Sequence, residues 1–180
     1  MKKTLVGLVI LIKLPPSTDR LAALLHVRGA FDYEKMQPET YPGACQISVF
    51  GEVNGGETIE KAVTRETEEE LGFNLQNILL QYRCAVTKLT EQETADSIMV
   101  FFSTIISFNL FKEIRLPRSS GGLRLIEPHQ LETITLLKKS DKSSGIKDRT
   151  AIAMFPEEKE AVSAAFKKFR EPAVAHNLSI

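Results

Sequence analysis

The segment Thr58–Gly72 constrains this chain more than any other, because it reads as a helix whose inward stripe turns from apolar to acidic along its length. Thr58 is placed as an N-cap, good helix formers follow to Leu71, and Gly72 stands where a left-handed C-terminal glycine belongs. Ile59, Ala62 and Val63 begin the stripe. One or two turns later Glu66, Glu69 and Glu70 sit at i, i+3 and i+4, within an arc of about 100° on nearly the same face. Like charges at this spacing cost a helix about 0.2–0.5 kcal/mol when solvated, and more where water is partly excluded. Hard divalent cations such as magnesium or manganese would offset that repulsion, and they are often completed by substrate phosphates. The nearby glycines Gly51, Gly55 and Gly56 allow the close approach or positive φ that a loop gripping a metal or phosphate requires. On acid clustering alone, a solvated glutamate-rich face is still the commoner explanation.

Strands are expected on both sides of this helix, which makes the fold class α/β. Leu5–Leu14 and Leu21–Val27 read as neighbouring strands around a Pro-Pro-Ser-Thr-Asp turn, and Ala44–Val53 resumes a β-like pattern. Ile78–Leu89 and Ser97–Phe108 read as two more strands, joined by the polar connection Thr90–Asp96. Arg118–Gly122 reads as a loop, Leu123–Ile126 as a short strand and Pro128–Thr133 as a helix start. Glu157–Arg170 reads as an amphipathic helix that turns Ala161, Ala164, Ala165 and Phe169 inward. Lys2 and Lys3 before Thr4–Ile12 resemble a secretory signal, but no small-residue cleavage site follows and a buried strand fits better. With 180 residues, no repeat and no dividing linker, one domain spanning 1–180 is expected.

The 23 basic and 23 acidic residues cancel, which argues against long nucleic acid as the primary ligand. The apolar run at the start is too short to cross a bilayer, so no membrane role is expected. Cys45 and Cys84 are far apart and lack partners at metal spacing, excluding a disulfide framework or zinc site and suiting a reducing, cytoplasmic setting. Both read as small core residues. His26, His129 and His176 occur singly.

The stretch Gly51–Phe73 resembles the Nudix box: Gly51, Glu57, Arg65, Glu66, Glu69, Glu70, Gly72 and Phe73 fill its specified positions. Thr67 stands where an aliphatic residue is preferred. The order of flanking strands resembles the MutT-like Nudix family as well. This resemblance implies an α/β/α sandwich around a mixed β-sheet, and metal-dependent hydrolysis of a diphosphate linkage in a small nucleoside-diphosphate-type compound. It implies magnesium, with manganese as a substitute, held by Glu66, Glu69 and Glu70 and by the carbonyl of Phe50. Glu66 is also implied to orient or deprotonate the attacking water, while Arg65 and Glu57 hold the carboxylates in place. Arg28, at the end of the second strand, is a candidate for binding substrate phosphate. Glu91, Glu93, Asp96 and Glu113 are candidates for a general base outside the box. Basic residues outnumber acidic ones across Lys112–Arg149, a surface that could face an anionic substrate. The run Tyr41–Val53 is similar to the isopentenyl-diphosphate isomerase branch, but Phe50 and Glu52 replace its cysteine and histidine, which argues against isomerase activity. A non-catalytic ligand sensor and an RNA-end or cap pyrophosphohydrolase are the alternative readings, and a homodimer is slightly preferred over a monomer.

Overall fold

The computed structural model describes residues 2–15, 20–33, 35–82, 85–138, 146 and 151–170, without the side chains of 80–82. Residues 16–19, where a turn is expected from sequence, Cys84, His176 and much of the 139–150 stretch lie outside the described residues. In chain order the strands and helices are β1 (Lys3–Lys13), β2 (Leu21–Arg28), β3 (Phe31–Asp32), β4 (Gln37–Pro38), β5 (Cys45–Ile47), β6 (Val49–Glu52), α1 (Ile59–Leu71) and α2 (Leu75–Tyr82). There follow β7 (Thr87–Glu93), β8 (Ser97–Ser107), α3 (Phe108–Phe111), β9 (Ser120–Ile126), a 3-10 helix (Pro128–Thr133), β10 (Thr135–Leu136), β11 (Ala153–Met154) and α4 (Pro156–Arg170).

β1 is the axis. Val6, Leu8, Ile10 and Ile12 pack into one core cluster and Val9 and Leu11 into another, so both faces of the strand are covered. That double burial explains why the strand is continuously apolar rather than alternating. The first cluster includes Ala62, Val63 and Leu71 of α1, Leu75 and Ile78 of α2, and Leu110 of α3. The second includes Ala161, Val162, Ala165 and Phe166 of α4. A seven-stranded mixed sheet is thereby enclosed between helices on both faces, an α/β/α sandwich. β8 runs parallel to β1 from Lys3↔Ser97 to Lys13↔Ser107, and β7 pairs antiparallel with β8.

Along the other edge of β1 the partner changes. Leu5–Leu8 pair with β6, whereas Ile10–Lys13 pair with β2. The two partners part at Ser48, which splits the expected Ala44–Val53 strand into β5 and β6. The buried Ser48 hydroxyl closes the gap, accepting the Ile10 N–H at 2.9 Å and donating to the Leu24 carbonyl at 2.7 Å.

Several expected boundaries move. Ile78–Leu89 is not one strand: α2 occupies its first part and β7 its last. Asn74 Oδ1 accepts the Asn77 N–H at 3.1 Å to start the helix, and Leu75, Ile78 and Leu79 turn to the core at helical spacing. β7 runs to Glu93, leaving only a short turn before β8. β8 ends at Ser107, whose hydroxyl caps α3 by accepting the Leu110 N–H at 3.4 Å, so Phe108 is helical. β9 starts at Ser120, inside the expected loop, and the helix start at Pro128 is a 3-10 turn. In α4, Ala161 and Ala165 are buried as expected, joined by Val162 and Phe166. No helix among the described residues is long and apolar enough to cross a membrane.

Candidate active site

α1 carries the site, and its ends are fixed locally. Thr58 Oγ1 accepts the Lys61 N–H at 3.3 Å, and Gly72 takes φ 68°, donating its N–H to the Glu68 carbonyl at 3.0 Å. Thr67 is fully buried and donates its hydroxyl to the Val63 carbonyl at 2.6 Å, so the polar atom at this inward position is satisfied within the helix.

Arg65 organises the carboxylates. Its Nε and Nη2 each donate to a Glu57 carboxylate oxygen at 3.0 Å, and Nη1 donates to Glu66 at 2.7 Å and Glu69 at 3.3 Å. Nη2 also donates to the Glu52 carbonyl at 2.9 Å, tying the helix to the end of β6. The Arg65 bonds, with the Asn54 N–H, hold the Glu57 carboxyl below its ordinary range. For Glu66 burial dominates and pushes its carboxyl upward; Arg65 opposes this, while the charges of Glu69 and Glu70 add to it. The Glu66 carboxyl lies where a side chain at position 51 would begin, so Gly51 is what admits it.

Glu66, Glu69 and Glu70 line one cavity of about 760 Å³, together with Phe50 and Arg28. Glu66 and Glu70 are largely covered, at 12% and 18% side-chain exposure, but Glu69 is 57% exposed and stands at the rim. The Phe50 ring stacks on Phe101 with centroids 6.2 Å apart. Arg28 reaches the cavity but is already ion-paired, its Nη2 lying 2.9 Å from Glu39 Oε1. Glu91, Glu93, Asp96 and Glu113 are all exposed and do not line the cavity; Glu91 pairs with Lys88 and Glu93 with Lys2. Of the basic segment Lys112–Arg149, Pro117 and Ser119 reach the wall, while Arg118 stacks on the Tyr33 ring at 4.7 Å.

Cavity residues that the sequence reading passed over are His26, Gln46 and Glu158. β2 sends Leu24 into the core beneath α1, and two-residue alternation carries His26 and Arg28 along the same face. Gln46 is in register with His26 on β5. Glu158, near the start of α4, is 4% exposed and its Oε2 has no hydrogen-bond partner. Burial is the main cause that pushes its carboxyl up to about 8, aided by the charges of Glu157 and Glu70 and opposed by Arg28. Cys45 is buried in the core, and its thiol is likewise raised by burial.

Among the described residues, no three His, Cys, Asp or Glu side chains are gathered closely enough to enclose a metal ion as they stand. Arg65 draws Glu66 and Glu69 to itself, and Glu70 leans toward Gln46 and His26. The donor chemistry nevertheless fits a hard divalent cation: three carboxylates face one cavity, and burial, with a smaller part from the charges of Glu69 and Glu70, raises the Glu66 carboxyl.

A comparison with protein-family models gives no match, and a comparison with curated proteins gives none. Solved structures do match. A MutT/Nudix family protein from Enterococcus faecalis aligns over 94% of this chain and 62% of its own length at 17% identity, with a TM-score of 0.63. The Nudix domain of Shewanella oneidensis NrtR, complexed with ADP-ribose, aligns over 94% of this chain and 89% of its own at 11% identity and TM-score 0.59. An Ap4A hydrolase from C. elegans, in a binary complex, aligns over 93% and 97% at 18% identity and TM-score 0.55. The fold of this chain is the fold those proteins share.

Proposed function

We propose that this chain, which carries the Nudix fold, is a divalent-metal-dependent hydrolase that cleaves a diphosphate linkage in a small nucleoside-diphosphate-type compound. The observation that carries this reading is the convergence of Glu66, Glu69 and Glu70 on one cavity wall, with Arg65 and Glu57 fixed behind them. Solved neighbours bearing ADP-ribose, or named for Ap4A hydrolysis, support a substrate in which a nucleoside is joined through phosphoanhydride bonds.

Glu66, Glu69 and Glu70 would hold magnesium or manganese, with the Phe50 carbonyl as a further oxygen donor. The bound cation supplies neutralisation of phosphate charge and a lowered pKa for bound water. The chain's own residues do the rest. Arg65 would keep Glu66 and Glu69 from turning outward, since its Nη1 donates to both. Glu66 would take a proton from attacking water, and burial makes its carboxyl more basic than an exposed glutamate. Water oxygen bonds to one phosphorus as the bridging P–O bond breaks; the leaving phosphoryl product keeps that bridging oxygen. Arg28 would meet substrate phosphate after exchanging its bond to Glu39 for one to the ligand.

The test is product release from nucleoside triphosphates, ADP-ribose and other nucleotide sugars, dinucleoside polyphosphates and NAD, with and without magnesium, for wild type and Glu70→Gln. Metal-dependent cleavage that falls at least about 100-fold in the variant is expected, the scale of a lost catalytic electrostatic group. Folded wild type that turns over none of these compounds overturns the proposal and favours a binding protein.

A further inference from the structure

Behind Glu70 lies a polar chain that the carboxylate motif does not include. Gln46 Nε2 is 3.4 Å from Glu70 Oε2 and 3.2 Å from His26 Nδ1. His26 Nε2 lies 2.7 Å from Ser120 Oγ, which also accepts the Gly122 N–H at 3.0 Å. The hydrogens can be assigned by elimination. The Gln46 amide nitrogen carries only donors, so Nδ1 of His26 accepts, the ring proton sits on Nε2, and Ser120 Oγ receives it. Nδ1 and Glu70 Oε2 are 3.6 Å apart, two acceptors separated by one NH₂ group that satisfies both. If the amide were reversed, its carbonyl oxygen would face the Glu70 carboxylate, which can only accept.

We propose that Gln46 is a positioning residue for Glu70, and that His26, anchored by Ser120, fixes which way the Gln46 amide points. Glu70 therefore presents its remaining lone pairs to the cavity from a fixed orientation. This inference rests on the metal-binding reading of Glu70. His26 is only 7% exposed and is held by β2 between β5 and β9, so its ring has little freedom to follow a displaced amide.

The experiment is manganese binding to the full chain without substrate, read from the free-ion paramagnetic resonance signal. Gln46→Leu and His26→Phe are each expected to weaken binding about 10-fold, the lower end of the effect of removing a group that orients a metal ligand. His26→Asn places an acceptor oxygen near the former Nδ1 position and is expected to recover most of the affinity, which a purely structural role for the ring would not produce. Thermal melts of the metal-free variants show whether each is folded; if His26→Phe is not, Gln46→Leu, at a half-buried position, carries the test. Affinities of Gln46→Leu and His26→Phe within about twofold of wild type would overturn the inference and leave the metal site standing. A wild type that binds no manganese would overturn the metal site and this inference together.

Discussion

Glu158 and Glu66 are both covered carboxyls at one cavity, but their surroundings differ. Glu66 has Arg65 at 2.7 Å, whereas Glu158 has an oxygen without a partner and a carboxyl pushed up to about 8. The unfolded chain would ionise this group near 4.5, so between about pH 4.5 and 8 the folded state holds a proton that the unfolded state has released. Stability contributed by this group must then fall as pH rises through that window, by at most about 1.4 kcal/mol per pH unit, and level off above it. Glu158→Gln keeps the shape and removes the titration. Urea midpoints of the chelator-treated protein at pH 5, 7 and 8.5 are expected to fall more steeply for wild type than for the variant. Equal slopes would contradict a buried, neutral Glu158. At Gly51, a methyl group would occupy the space of the Glu66 carboxyl. Gly51→Ala should consequently cut hydrolysis by about 100-fold or more while leaving far-ultraviolet dichroism unchanged, because the displaced group is a site carboxylate rather than core.

At the scale of elements, α1 was legible because its local signals agree: a threonine cap, an apolar opening and a terminal glycine. Gly72 is required twice over, by φ 68° and because a Cβ there would lie 2.7 Å from the Arg115 carbonyl oxygen. Gly72→Ala is expected to lower unfolding free energy by about 1–2 kcal/mol, measurable by urea denaturation. The segment Ile78–Leu89 is ambiguous in sequence because its apolar residues satisfy either period, and the Asn74 cap that decides for helix lies before the run. The break at Ser48 is likewise set by tertiary structure, since its hydroxyl is satisfied by β1 and β2 rather than by neighbours in sequence. The same divide runs through the site. The residues from Gly51 to Phe73 were readable from spacing within one loop and helix. His26, Gln46 and Glu158 come from β2, β5 and α4, and only the sheet's register and the packing of α4 bring them to the cavity. Arg28 is legible as a cation at the end of a strand and does line the cavity, but its pairing with Glu39 is not legible.

At the scale of the molecule, the cavity draws on both faces of the sheet, with α1 on one side and Glu158 of α4 reaching it from the other. A cation bound there would hold only the folded chain. Magnesium at 100 times its dissociation constant should therefore add about 2.7 kcal/mol of stability, seen as a rise in melting temperature that Glu70→Gln abolishes. The pairing of β1 with β8 has a further consequence, for the order in which this architecture can form. Eleven residue pairs join strands from opposite halves of the chain, and α1 lies between them in sequence. During synthesis the carboxylate helix leaves the ribosome before β8 can complete the platform on which it docks. Closing so long a loop must precede the reward of parallel pairing, which points to slow, topology-limited folding.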